Sequence, residues 1–143
     1  MPEIKITVPG VAAPKSIRII MRNGHPSMGN NKKVRSWMDF VRDTVRVEMA
    51  RLVYSGDTLI AKKVPVGVVL DVFLPWPKNT PKKIAATTAP HVDKPDADNL
   101  QKPILDALSE ARVWWDDAQV DKKFIQKWRC PRGEERVEVV IVW

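Results

Sequence analysis

The chain has 143 residues, 44% hydrophobic and 29% charged, a balance that suits one folded domain over 1–143 and excludes a disordered chain. Its single cysteine, Cys130, excludes an internal disulfide framework and a cysteine-rich zinc site. Lys and Arg outnumber Asp and Glu by 24 to 17, a formal charge of +7 that points to a polyanionic partner.

The first residues, MPEIKITVPG, lack the apolar core of a secretion signal, and no apolar run approaches the roughly 20 residues of a membrane span. A cytoplasmic protein with no membrane partner is therefore expected. Residues 4–8 and 16–21 read as short strands joined by a turn containing Pro and Gly. Residues 23–33 read as a polar loop, in which Lys32 and Lys33 could touch phosphate. From Val34, the apolar positions Trp37, Met38, Val41, Val45, Met49, Leu52 and Val53 keep the three- and four-residue steps of an amphipathic helix. Its polar face carries Arg35, Arg42, Arg46 and Arg51, and each arginine by itself reads as solvated.

Residues 64–74 alternate strictly, with Val66, Val68, Leu70, Val72 and Leu74 on one face, and predict a central strand. Residues 75–95 hold five prolines, Trp76, Lys78, Lys82, Lys83 and Lys94, and read as a long loop of the kind that carries function. His91 reads as an ordinary residue of that loop. A helix follows to about Arg112, with Leu100, Ile104, Leu105, Leu108 and Ala111 at helical spacing and Asp98 or Asn99 as its cap. Residues 119–128 and 136–143 read as two further strands.

The charge is unevenly spread. Between His91 and Asp121 there are eight acids and three bases, net −5, leaving +12 on the remainder. An acidic island in a basic chain suits a metal-dependent enzyme acting on phosphodiesters: a basic surface holds the backbone and carboxylates hold the cation. Asp96 and Asp98 lie two apart after Pro95, and in extended backbone both carboxylates would share a face. The chain returning through Val113, Trp114 and Trp115 would bring Asp116 and Asp117 beside them, gathering three or four carboxylates. Mg²⁺ is the natural cation for such a cluster, and Lys102, one helical turn after Asp98, would set a positive charge by the phosphate. The competing reading is a capped helix with acidic ends and no metal. A calcium loop starting at Asp96 fails, because Gln101 stands where its Gly belongs and Ala107 where its Glu belongs. There is no phosphate-binding GK[ST] loop, and neither His25 nor His91 accompanies a nucleophile motif.

The run Lys94-Pro95-Asp96-Ala97-Asp98-Asn99-Leu100, then Lys102, Leu105-Asp106-Ala107-Leu108 and Asp116-Asp117-Ala118-Gln119-Val120, resembles the signature of the RusA family of Holliday junction resolvases. The resemblance is close over about a fifth of the chain and one of arrangement elsewhere. It implies an α+β fold, a small mixed sheet with two main helices, in a single domain that forms a homodimer. It further implies Mg²⁺-dependent paired nicking of four-way DNA junctions, with Mn²⁺ as a substitute cation and 5′-phosphate ends as product. Carried over by position, Asp96, Asp98 and Asp117 would be the metal-binding catalytic aspartates and Lys102 the catalytic lysine, with Asp116 and Asn99 as supporting neighbours. Lys32, Lys33, Lys78, Lys82, Lys83, Lys94, Lys122 and Lys123 would contact DNA phosphates, and Trp76 would meet unpaired bases. Trp114 and Trp115 could stack on bases or pack, and packing is the better reading for at least one.

The chain departs from the family pattern at Pro103, which directly follows Lys102 and would bias it away from helical geometry, so the helix would start near Pro103. Two other functions compete with the resolvase: a branched-DNA binding protein that does not cut, and a metal-dependent phosphohydrolase acting on small nucleotides.

Overall fold

The computed structural model describes the backbone of residues 1–15 and 17–143, and the side chains of these residues other than 17–22 and 25–30. The fold is α+β. A five-stranded mixed sheet is ordered β1-β7-β4-β6-β5, from strands β1 (Glu3–Pro9), β4 (Val66–Pro75), β5 (Ala89–Pro90), β6 (Val120–Cys130) and β7 (Arg136–Val142). A separate antiparallel hairpin is made by β2 (Ile17–Arg22) and β3 (His25–Asn30). Three helices complete the chain: α1 (Lys32–Met49), the short α2 (Lys82–Ala85) and α3 (Ala97–Glu110).

Period-two alternation explains the sheet. Ile4, Ile6 and Val8 of β1, Val66, Val68, Leu70 and Val72 of β4, and Val137, Val139 and Ile141 of β7 are buried in one core. The intervening residues face the other way, and of these Val69 is exposed, as is Phe124 on the neighbouring β6. Strand β4 is central, antiparallel to β7 and parallel to β6, and the parallel pair is linked by a crossover through α3. Helices α1 and α3 close the buried face with Val34, Trp37, Met38, Val41, Val45 and Met49 from one and Leu100, Ile104, Ala107 and Leu108 from the other.

The arginine face of α1 is not merely solvated. Arg35 donates to both carboxylate oxygens of Glu110, at 2.9 and 2.5 Å, and to Asp39 at 2.7 Å, while Arg46 reaches the Glu110 carbonyl at 3.0 Å. These bonds clasp α1 to the end of α3. The Glu110 carboxyl is held below its usual range, first by the Arg35 hydrogen bonds and against a smaller effect of burial.

Several expectations are corrected. Residues 23–33 are not a loop. Asn23 and Gly24, at φ 50° and 76°, form the two-residue turn between β2 and β3, and Asn31 caps α1 by accepting from the Lys33 N–H at 2.9 Å. Helix α1 ends at Met49, and Leu52 and Val53 stand exposed beyond it. The proline-rich segment contains α2 and β5, and His91 after β5 is buried, its Nδ1 accepting the Asp93 N–H at 3.2 Å. The Ser16 start predicted for the second strand lies outside the described residues.

Helix α3 also differs from the sequence reading. Asp96, not Asp98 or Asn99, occupies the cap position, in extended backbone, and Asp98 lies in the first helical turn. The two carboxylates therefore do not alternate along a strand. Lys102 and Pro103 are both inside α3, so the helix does not wait for Pro103 to begin.

Candidate nuclease cleft

Positions 98, 102 and 106 recur one helical turn apart, which places Asp98, Lys102 and Asp106 on one side of α3, while Leu100, Pro103, Ile104, Ala107 and Leu108 are buried. That exposed side borders a cleft of about 400 Å³. Asn99, Gln101, Trp114, Asp117 in the 3-10 turn Asp117–Gln119, Lys123 of β6 and Lys15 from the segment after β1 complete its polar lining.

Asp117 is the best-fixed acid in the cleft. The Ser109 hydroxyl donates to its Oδ1, and the buried Trp114 indole N–H lies 3.2 Å from the same oxygen and 2.9 Å from Ser109 Oγ. The Ser109 bond is the main cause of a carboxyl held below the usual carboxylate range. Burial opposes it, while the Trp114 indole and the charges of Lys102 and Lys123 add to it. Asp117 is therefore an anion at neutral pH. Trp114, with 1% of its surface exposed, packs as expected. Trp115 is exposed and lies beneath the Lys62 ammonium, 3.8 Å from the ring centre.

Lys102 donates to Asp106 at 2.7 Å, and this bond raises its pKa above the ordinary lysine value. Partial burial pulls the other way, and the charges of Asp106 and Asp117 add. It remains an ammonium at neutral pH, so it can stabilise negative charge on a phosphate but cannot take a proton from water.

Asp116 does not face this cleft. It caps the 3-10 turn by accepting the Ala118 N–H at 2.9 Å. Gln119 accepts the N–H groups of Trp115 and Asp116 and donates to the carbonyls of Ala61 and Val64, tying the acidic turn to the segment before β4. Asp96 does not line the cleft either and lies 3.4 Å from the Lys94 ammonium. Among the described residues no three His, Cys, Asp or Glu side chains form a group that could hold a metal. Of the four acids expected to gather, only Asp98 and Asp117 border this cleft; the third carboxylate there is Asp106, which accepts from Lys102.

The family model for endodeoxyribonuclease RusA matches residues 9–142, which takes in the whole cleft and every strand of the sheet except β1, of which only Pro9 is included. The chain belongs to the RusA family. No curated protein matches it. RusA membership makes this a nuclease family chain whose substrate class is branched DNA, the Holliday junction in particular. No helix among the described residues is long and apolar enough to cross a membrane.

The polar RusA motif residues that meet in the cleft are Asp98, Asn99, Lys102, Asp106 and Asp117. Of the lysines expected on DNA, Lys123 lines the cleft, whereas Lys78 and Lys82 border a separate recess of about 280 Å³ with Trp76 and Arg132. Trp76 is half-buried, and its indole N–H donates to the Thr87 carbonyl at 2.8 Å. Lys32 and Lys33 lie exposed in the first turn of α1, Lys83 is exposed on α2, and Lys122 is exposed on β6.

Sequence reasoning missed Ser109 and Lys15, and gave no role to Asp106 and Gln119 although both stand in the motif. The four-residue step from Lys102 to Asp106 was a readable signal. Ser109 and Gln119 act through a turn whose path no local pattern announces.

Proposed function

We propose that the chain is a metal-dependent, structure-selective endodeoxyribonuclease that resolves four-way junctions by paired nicks during recombination and repair in the cytoplasm. The observation that carries this reading is the cleft that sets the carboxylates Asp98 and Asp117 against the ammonium groups of Lys102 and Lys123. Anionic oxygens for a cation and cations for a phosphate are what phosphodiester hydrolysis needs side by side.

Mg²⁺ binds through one or two carboxylates and takes its remaining oxygens from water and substrate phosphate, so two acids on an open cleft fit it. Asp98 and Asp117 would hold the ion. Asp96 enters the set through the family motif, from the cap of the same helix. Asn99 and Asp116 support the set from beside these acids. When bound, the ion supplies a Lewis acid for the phosphoryl oxygen and a more acidic water. Mn²⁺, with similar oxygen preferences, substitutes.

The protein's own part is to hold charge in place. Ser109 and Trp114 fix Asp117 so that little reorganisation is needed when the phosphate arrives. Lys102, held by Asp106, would meet the negative charge that grows on the phosphate as a water oxygen bonds to phosphorus and the P–O3′ bond breaks, with O3′ taking up a proton from solvent. The products are a 5′-phosphate and a 3′-hydroxyl. Two symmetric nicks need two clefts, which a homodimer with twofold symmetry supplies. The lysines outside the cleft, together with Trp76, would hold the arms and unpaired bases of the junction.

The test is a labelled four-way junction incubated beside linear duplex of equal length, with Mg²⁺ or with chelator, using the wild type and Asp98→Asn. Paired nicks confined to the junction, dependent on metal and lost in Asp98→Asn, are expected. Cutting that survives Asp98→Asn would overturn the site. Junction binding without cutting in Mg²⁺ or Mn²⁺ would leave a branched-DNA binding protein instead.

A further inference from the structure

Lys15 belongs to no motif, yet the fold delivers it to the cleft by a defined route. The segment between β1 and the hairpin is fastened at three points. The Gly10 N–H donates to the Glu135 carbonyl at 3.1 Å, Ala12 and Ala13 are buried in the core, and the Lys15 N–H donates to the Asn99 carbonyl at 2.7 Å. The last bond joins a connecting segment to the first turn of α3, where a carbonyl is ordinarily taken by the amide four residues on. For Asn99 that residue is Pro103, which has no N–H and whose ring crowds the carbonyl four residues before it.

We propose that Pro103 is a positioning residue that seats Lys15 in the cleft, and that the Lys15 ammonium is an additional phosphate contact for branched DNA. Proline leaves the Asn99 carbonyl without its helical donor and turns it outward. The Lys15 amide then takes that acceptor, which fixes where the Lys15 side chain starts. Lys15 borders the same cleft as Asp98, Lys102, Asp117 and Lys123. The departure at Pro103 thus has a use: it converts a helix defect into an anchor for a third cleft lysine. The inference rests on the nuclease reading of that cleft.

Two measurements test it on the full-length protein. The first is equilibrium binding of a four-way junction in chelator, so that nothing is cut, over a range of salt. Lys15→Ala should weaken binding several-fold and reduce the slope of log affinity against log salt by about 0.9, the loss of one phosphate contact, while Lys15→Arg should keep the wild-type slope. An unchanged slope in Lys15→Ala would overturn the contact. The second is amide hydrogen exchange at Lys15, which should be protected in the wild type and about tenfold faster in Pro103→Ala. Unchanged protection would overturn the role of Pro103. The two substitutions combined should weaken binding no more than Lys15→Ala alone, and full additivity would break the link between them. Failure of the wild-type protein to prefer the junction over duplex would count against the nuclease reading, whatever the amide exchange shows.

Discussion

Ser109 sets the acidity of Asp117 with one hydroxyl, so its removal has a predictable sign. In Ser109→Ala the Asp117 carboxyl loses its strongest donor and its pKa rises toward the ordinary value, which a carboxyl-detected NMR titration of the metal-free protein would follow. Because the folded-state pKa is depressed, the stability contributed by ionised Asp117 is present above the unfolded value of about 3.9 and lost as pH falls through the folded value. Ser109→Ala should therefore flatten the acid side of the stability curve. His91 gives a slope at milder pH. Burial, helped by the charges of Arg129 and Lys127, lowers its pKa, so the unfolded chain binds its proton first. Stability should fall as pH drops below about 6.5, and His91→Gln, which can still accept the Asp93 N–H, should reduce that fall in urea midpoints measured at pH 7.5 and 5.5. No motif announces either residue, because each acts through a tertiary hydrogen bond or through burial.

At the scale of elements, the Arg35–Glu110 clasp joins two helices that share a core. Glu110→Gln should cost about 0.5–1 kcal/mol in chemical denaturation, a value kept small because both side chains are more than a third exposed. A double-mutant cycle with Arg35→Met should show the two losses coupled, whereas additive losses would mean that the apolar face alone holds α1 to α3. The apolar patterns of β4, α1 and α3 were legible in the sequence because a 2- or 3.6-residue period reports one buried face. The Asn-Gly turn was legible too, as a hairpin signal, but the polar residues around it read as loop. Helix α1 was read too long because Leu52 and Val53 continue the period after the chain has left the helix. In the acidic segment, composition pointed to the region of the cleft, and the motif held Asp98, Asn99, Lys102, Asp106 and Asp117 but not Lys15 or Lys123. The cap at Asp96 and the helical placement of Lys102 needed the helix itself, since local rules push the residue before a proline out of a helix and tertiary packing overrode them.

Across the whole molecule, the net −5 of the segment containing the cleft is set inside a chain that is otherwise +12. The basic surface should dominate binding, the acids only the chemistry. Junction affinity should consequently fall by about 10³–10⁵ between 50 and 200 mM salt if six to ten phosphates are engaged, and Asp98→Asn should leave that dependence nearly unchanged. A weak salt dependence would instead fit an enzyme for small nucleotides.

The strand order also has a kinetic side. Glu3 faces Val142 across β1 and β7, and β4 pairs with β7 on one side and with β6 on the other. The sheet therefore joins strands from opposite ends of the sequence, with the loop-closure cost and slow folding of non-local pairing. During synthesis β1 and β4 emerge with edges unmet, while the acidic turn and the two strands that flank β4, β6 and β7, are still to come. Most of the basic residues of a nascent chain are thus made before the acidic turn that completes the cleft, so its charge precedes its fold.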